Sequence, residues 1–155
     1  MLDLYDELKA VTASFDATGV AYALCGGLAL AVYGLTRATV DIDLLIPEEC
    51  LEAAGSAARD LGYTIAAPPM SLAGGTIKIR RISKLDPDTG DLLMLDLLLA
   101  TAPLTEVWRT RREVEWEHGS LWVVSREGLI ALKRLRRSGQ DLDDIARLAE
   151  HSDEA

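Results

Sequence analysis

The sequence contains few cysteines and histidines, the residues that form many metal sites and catalytic sites. It contains two cysteines and two histidines in 155 residues. Cys25 and Cys50 lack the spacing of metal ligands, and two cysteines alone do not establish a disulfide, so we expect both to be reduced. His118 and His151 have no ligand spacing and belong to no Ser-His-Asp set. The small number and the spacing of these residues argue against a His/Cys metal site and against a serine hydrolase.

Positive charge is also scarce. The chain has 16 Lys and Arg against 25 Asp and Glu, which gives a formal net charge of -9 at pH 7. Broad DNA or RNA binding depends on Lys and Arg that neutralise phosphates, so this balance speaks against it. A local basic cluster could still hold one anionic ligand.

Long apolar segments are missing as well. The longest apolar stretches lie near 28–35 and 92–100, and both are far shorter than the roughly 20 residues of a membrane span. The first nine residues mix acidic, basic and apolar side chains, unlike a signal peptide. We therefore expect a soluble, cytoplasmic protein with no membrane partner. A chain of this length typically forms one domain, which we expect to span 1–150, with 151–155 as a disordered tail.

Hydrophobic periodicity predicts helices and strands in alternation. Helical spacing covers 2–18 and 48–61, and Gly19 and Gly62 follow as helix ends. Apolar runs predict strands over 20–25, 38–46, 63–66, 76–85 and 92–99, with 67–75 as a loop. Next come a short helix over 104–110, a hairpin of 113–117 with 121–124, a helix from its cap Ser125 to about Arg137, and a last helix capped by Asp141. The predicted fold is α/β (α+β), a mixed sheet flanked by helices with a short C-terminal helical pair.

The stretch 23–46 carries the most information about function. An apolar run leads into Gly26-Gly27, a helix of small residues follows, and a second apolar run carries Asp41 and Asp43. Because alternate residues of a strand point to the same face, these carboxylates would lie side by side. Buried carboxylates that repel each other need a cation, and Mg²⁺ or Mn²⁺ suits oxygen ligands.

Two further features belong to the same hypothesis. A glycine turn lets backbone N–H groups approach a phosphate. Asp96 stands alone in the apolar run Met-Leu-Asp-Leu-Leu, and buried carboxylates are rarely unpaired, so we expect it to face a partner. Each motif also has an ordinary explanation: a solvated strand edge for Asp41 and Asp43, a tight turn for the glycines, and a strand end for Asp96. Their combination favours a metal site.

The order of these motifs resembles a known superfamily. Gly26-Gly27, a short helix and then Arg37-x-Thr39-x-Asp41-Ile-Asp43 resemble the nucleotidyltransferases, the polymerase-beta-like transferases. Within that superfamily the run is most similar to small bacterial proteins grouped with the abortive-infection nucleotidyltransferase toxins. The resemblance covers most of the chain, but only this run is specific. One position departs from it, because many nucleotidyltransferases have Gly-Ser where this sequence has Gly-Gly.

The resemblance implies a metal-dependent enzyme that moves a nucleoside monophosphate from a nucleoside triphosphate to an acceptor hydroxyl. Its catalytic and metal-binding residues would be Asp41, Asp43 and Asp96, with Mg²⁺ or Mn²⁺ as cofactor and Asp96 as general base. Its nucleotide-binding residues would be Gly26, Gly27, Arg37, Thr39 and Lys133. A structural ion pair for Arg37 and an ordinary strand position for Thr39 are equally consistent with the sequence.

Lys133 lies on the predicted helix that follows Ser125. In the resembled branch a lysine here precedes a basic stretch and an Asp-x-x-Asp-Ile segment, which implies contact with the triphosphate. Asp141 and Asp144 would then cap and orient the two C-terminal helices. A solvated helix face is the alternative for this basic stretch.

The acceptor stays open at this level. The resemblance is compatible with tRNA, a protein hydroxyl or a small molecule, and with a toxin that has a cognate antitoxin partner or acts in phage defence. A second hypothesis is a catalytically weak or inactive protein of the same fold that binds or regulates. Gly27 in place of serine favours this second hypothesis modestly.

Overall fold

The computed structural model of the chain describes residues 2–35, 38–136 and 139–150. The predicted nucleotide ligand Arg37 and the predicted tail 151–155 lie outside these ranges. The helices in this part of the chain are α1 Leu4–Thr18, α2 Gly26–Val32, α3 Leu51–Asp60, α4 Thr105–Arg109, α5 Arg126–Arg136 and α6 Gly139–Glu150. The strands are β1 Ala23–Cys25, β2 Asp41–Pro47, β3 Ile65–Ala66, β4 Met70–Leu72, β5 Ile77–Leu85, β6 Leu92–Ala100, β7 Arg112–Trp116 and β8 Gly119–Val123.

The strands form one mixed sheet. Its order is β3-β5-β6-β2-β1-β8-β7, and β4 pairs with β5. The pairs β2–β6 and β1–β8 are parallel, whereas the other strand pairs are antiparallel. This architecture confirms the predicted mixed sheet with flanking helices.

Local signals explain where the helices begin and end. Asp3 caps α1, and its Oδ1 accepts hydrogen bonds from the backbone N–H groups of Tyr5 and Asp6, each at 3.0 Å. Gly19 ends α1 in the left-handed conformation, as predicted. The hydroxyl of Ser125 accepts a hydrogen bond of 3.0 Å from the backbone N–H of Gly128, so the predicted cap of α5 is confirmed.

The two faces of the central strands have different roles. Alternate residues of β2 and β6 are almost completely buried in the hydrophobic core, namely Ile42, Leu44, Ile46, Leu95, Leu97 and Leu99. The Nζ of Lys84 on β5 reaches Glu7 of α1 at 2.8 Å, which places α1 over this face. Burial of each such aliphatic side chain is worth roughly 1.5–3 kcal/mol. The opposite face carries Asp41, Asp43 and Asp96.

Several sequence-based boundaries were wrong. The strands predicted over 20–25, 38–46 and 63–66 begin later, at Ala23, Asp41 and Ile65. The segment 67–75 contains β4, whose pairing with β5 is not encoded in its own turn residues. The helix after β1 begins at Gly26 itself. The last helix begins at Gly139, and Asp141 is a buried residue within that helix because tertiary ion pairing occupies its carboxylate.

No helix in the described ranges combines the length and the apolar composition of a membrane span.

Candidate active site

Parallel pairing of β2 with β6 brings the predicted acidic residues together. Asp43 is the direct register partner of Asp96, so their side chains leave the sheet on the same face. Asp41 lies two residues earlier in β2 and shares that face. We call these three side chains the acidic cluster. A separation of 53 positions along the chain is thus bridged by strand pairing alone.

The glycine pair lies directly against this cluster. Cys25, the last residue of β1, is the register partner of Asp43, so α2 starts beside the Asp43 carboxylate. Gly26 has φ +68°, and a Cβ at this position would lie 2.1 Å from Oδ2 of Asp43. A Cβ on Gly27 would lie 2.8 Å from Oγ1 of Thr39. Both glycines therefore meet the predicted site residues at distances that exclude a side chain.

The cluster is short of positive charge. Burial, together with the negative charges of Asp96 and Asp41, raises the pKa of Asp43 to about 7. The pKa of Asp41 is also raised, first by burial and then by the charge of Asp96. Oδ1 of Asp41 is buried and has no hydrogen-bond partner among the described residues. Such an arrangement is unfavourable unless a cation or a proton compensates it.

Sequence reasoning missed one member of the site, Arg81. The antiparallel pairing of β5 with β6 makes Arg81 the register partner of Asp96. Its Nε donates to Oδ1 of Asp96 at 2.7 Å and its Nη2 donates to Oδ2 at 2.8 Å. The alternation of side chains along β5 could have identified this residue. Arg81 shares its strand face with Ile77 and Ile79, and all three line the same cavity.

The acidic cluster opens into a cavity of about 540 Å³. Carboxylates, Arg81 and the glycine pair form one part of its wall. Helix α5 contributes Lys133 and Arg136. A second part of the wall is apolar and consists of Val40, Leu72, Ile77, Ile79, Leu98, Leu129 and Leu132. The cavity therefore combines an anionic centre with an apolar surface.

Lys133 borders this cavity, but its ammonium group contacts α6. Nζ lies 2.9 Å from Oδ2 of Asp144 and 3.5 Å from Oδ1 of Asp141. Nε of Arg136 lies 3.5 Å from Oδ2 of Asp141. The side chains of Lys133, Asp141 and Asp144 are at most 5% exposed. Asp141 and Asp144 thus join the two C-terminal helices through ion pairs, and contact of Lys133 with a triphosphate stays a prediction.

The residues of the acidic cluster fit a hard divalent cation, although they do not form a finished coordination shell. Among the described residues no group of three or more His, Cys, Asp or Glu side chains lies in a metal-binding arrangement. Both oxygens of Asp96 are engaged by Arg81. The unpaired oxygen of Asp41, the pairing of Asp43 with Asp96 across the strands and the absence of a side chain at Gly26 nevertheless suit such an ion. Oxygen donors of this kind suit Mg²⁺ or Mn²⁺.

Comparison with known proteins identifies the fold. No protein-family model and no curated protein matches the sequence. The lincomycin-bound lincosamide antibiotic adenylyltransferase LnuA is 18% identical with a TM-score of 0.63, over 93% of this chain and 95% of that one. The antibiotic-resistance factor ANT(2'')-Ia is 18% identical with a TM-score of 0.63, over 97% of this chain and 85% of that one. An antigenic nucleotidyltransferase-like protein from Paracoccidioides brasiliensis is 22% identical with a TM-score of 0.53, over 92% and 75% of the two chains. The chain therefore has the fold of the nucleotidyltransferases.

Proposed function

We propose that the protein transfers a nucleoside monophosphate from a nucleoside triphosphate to a hydroxyl group of a small molecule, with Mg²⁺ or Mn²⁺ as cofactor. One observation carries the proposal: three carboxylates from two paired strands line one cavity together with the glycine start of α2, and Asp43 lies directly against Gly26. The fold supports it, since LnuA is an adenylyltransferase and ANT(2'')-Ia has been crystallised with adenylyl-2''-tobramycin.

Each residue has a role in this chemistry. Asp41, Asp43 and Asp96 would hold the divalent ion, which supplies charge neutralisation for the triphosphate. Backbone N–H groups at Gly26 and Gly27 would donate to phosphate oxygens, because no side chain blocks their approach. The hydroxyl of Thr39 lies beside Gly27 and could donate to the same phosphate.

Groups of this site can account for each bond change and for the proton in the proposed reaction. The acceptor oxygen attacks the α-phosphorus, the bond from that phosphorus to the bridging oxygen breaks, and pyrophosphate leaves. Asp96 receives the proton of the acceptor hydroxyl, since each carboxylate oxygen keeps a lone pair when it accepts one hydrogen bond from Arg81. Orientation of the two reactants in the cavity provides the remaining acceleration.

The cavity and the net charge favour a small acceptor over RNA. A volume of about 540 Å³ lies within the range of roughly 300–1,000 Å³ that holds small ligands. The apolar wall around Leu72, Ile79 and Leu98 suits the body of such a molecule. A tRNA acceptor would need a basic surface, whereas the chain carries a net charge of -9.

A second candidate is a protein that binds nucleotides without turnover. It is favoured by two side chains that are already engaged in ion pairs and by one missing hydroxyl. Arg81 contacts Asp96, Lys133 contacts Asp144, and position 27 lacks a hydroxyl. In this case a nucleotide would bind, but no nucleoside monophosphate would be transferred to an acceptor.

The test uses triphosphates labelled at the α-phosphate, with Mg²⁺ or Mn²⁺ and separate RNA, protein and small-molecule fractions as acceptors. We expect label in the small-molecule fraction and release of pyrophosphate. Asp43→Asn should lower the rate by about 100-fold or more, because several kcal/mol of transition-state stabilisation are lost. The matched control is Asp60→Asn at the exposed end of α3, which should retain the wild-type rate.

Label in RNA or protein would overturn the proposed acceptor and favour the toxin role that the sequence resemblance implies. Binding of a non-hydrolysable triphosphate without any label transfer would establish the second candidate. Failure of every nucleotide to bind would overturn both.

A further inference from the structure

We propose that Arg81 is a built-in counterion of the acidic cluster: it positions Asp96 and supplies positive charge that the cluster would otherwise take from a divalent ion. The inference rests on the proposed function, because it treats Asp41, Asp43 and Asp96 as metal ligands. It adds a residue that the sequence motifs do not contain. It also predicts how tightly the metal binds.

The geometry of the Arg81–Asp96 pair supports a positioning role. The guanidinium contacts both carboxylate oxygens, at 2.7 and 2.8 Å, and such a fork fixes the plane of the carboxylate. The Asp96 side chain is 6% exposed, whereas that of Arg81 is 32% exposed. Asp96 is therefore held in one orientation by a partner that itself reaches the solvent-accessible cavity.

The charges of the cluster support the counterion role. Arg81 contacts Asp96 directly, Asp96 is the register partner of Asp43, and Asp41 lies two residues from Asp43 on the same strand face. The guanidinium charge therefore lines the same cavity as all three carboxylates. The other cations on the cavity wall, Lys133 and Arg136, contact Asp141 and Asp144 of α6 in the described part of the chain. When all three carboxylates are ionised, the guanidinium of Arg81 leaves two negative charges, which is what a divalent cation neutralises.

Arg81 and a divalent cation would therefore compete for the negative charge of the acidic cluster. With Arg81 present, the cluster can fold without metal, but part of its attraction for a cation is already satisfied. Loss of the guanidinium charge should make the cluster bind divalent cations more tightly and should make the folded state depend on them. An ordinary structural ion pair would have neither effect.

Arg81→Gln tests the charge. We measure Mn²⁺ binding from the electron paramagnetic resonance signal of the free ion, and thermal unfolding in EDTA and in excess Mg²⁺. Arg81→Gln should bind Mn²⁺ about tenfold more tightly than the wild type, because one repulsive charge near the ion is removed. Its Tm should rise more on addition of Mg²⁺ than the wild-type Tm does. Arg81→Lys keeps the charge and loses the fork, so it should bind Mn²⁺ with wild-type affinity and lower kcat without raising the KM for nucleotide.

The matched control is Lys84→Gln on the same strand. Lys84 pairs with Glu7 of α1 at 2.8 Å on the opposite face of the sheet. Its loss removes a similar ion pair, and we expect a lower Tm with and without Mg²⁺ and unchanged Mn²⁺ affinity. A Mg²⁺ response shared by both variants would show a general effect of ion-pair loss and would overturn the inference.

The remaining experimental outcomes also support or overturn the counterion role of Arg81. If Arg81→Gln is unfolded in EDTA, recovery of its fold in Mg²⁺ supports the counterion role, and failure to recover overturns it. Wild-type Mn²⁺ binding that Arg81→Gln leaves unchanged or weakens overturns the counterion role alone. Absence of Mn²⁺ binding by the wild type overturns the metal site of the proposed function together with this inference.

Discussion

Gly26 and Asp43 lie so close together that residue 26 has no room for a side chain. A Cβ there would lie 2.1 Å from Oδ2 and 2.7 Å from Cγ of Asp43. The backbone conformation, with φ +68°, independently favours glycine. A glycine that the sequence presents as part of a simple turn is therefore required by its contact with a carboxylate of the neighbouring strand.

Gly26→Ala should abolish Mn²⁺ and nucleotide binding, because the added Cβ must displace the Asp43 carboxylate. The positive φ alone should cost about 1–2 kcal/mol in the free energy of unfolding. Gly19→Ala is the matched control, since Gly19 has φ +76° and no atom within 4 Å of the Cβ position. It should lose similar stability in urea unfolding and keep its ligands. Unchanged Mn²⁺ binding by Gly26→Ala would contradict the contact.

The side chain of Thr39 occupies the space that a side chain at position 27 would enter. Its Oγ1 lies 2.8 Å from the Cβ position of Gly27. We predict that Gly27→Ser lowers transferase activity through crowding, and that Thr39→Ala lowers it through loss of the hydroxyl. The double variant should be more active than Gly27→Ser, because one hydroxyl again fits. A double-mutant cycle on kcat/KM measures this coupling, and simple additivity would disprove it.

The metal-free protein should lose stability as pH rises from about 4 to about 7. Burial and the neighbouring carboxylates raise the pKa of Asp43 from 3.8 to about 7. Within this window the folded protein keeps a proton that the unfolded chain releases, so stability is highest below the window and lowest above it. The slope from Asp43 is at most about 1.4 kcal/mol per pH unit.

Urea unfolding in EDTA at several pH values checks this dependence. Asp43→Asn should flatten it, because an amide does not titrate, whereas the exposed control Asp60→Asn should preserve the wild-type profile. A wild-type stability that increases across the window would mean that the Asp43 pKa is not raised.

Lys133→Met should lower the free energy of unfolding by about 3–5 kcal/mol, since it removes a buried ammonium that Asp144 contacts at 2.9 Å. Lys9→Met on the exposed face of α1 is the matched control and should change stability by no more than about 0.5 kcal/mol. Unfolding in urea measures both. Unchanged stability together with a raised KM for nucleotide would instead assign Lys133 to the triphosphate alone.

Several features were predictable because their causes are local. Alternation placed Asp41 and Asp43 on one strand face, and the cap at Ser125 marked the start of α5. Asp96 was recognisable because an isolated carboxylate in an apolar strand needs a partner. The pairing of β4 with β5 and the burial of Asp141 in an ion pair with Lys133 were not predictable, since both depend on tertiary contacts.

The chain by itself determined the periodicity of its elements, the glycine pair and the three carboxylates, since these follow from residue type and spacing. Tertiary structure decided which partners those carboxylates have. Only the register of β5 against β6 reveals that Arg81 faces Asp96, and only the packing of α6 on α5 directs Lys133 to Asp144. The physical reason is that charge interactions depend on distances of a few ångströms, which strand pairing and helix packing set between residues far apart in the chain.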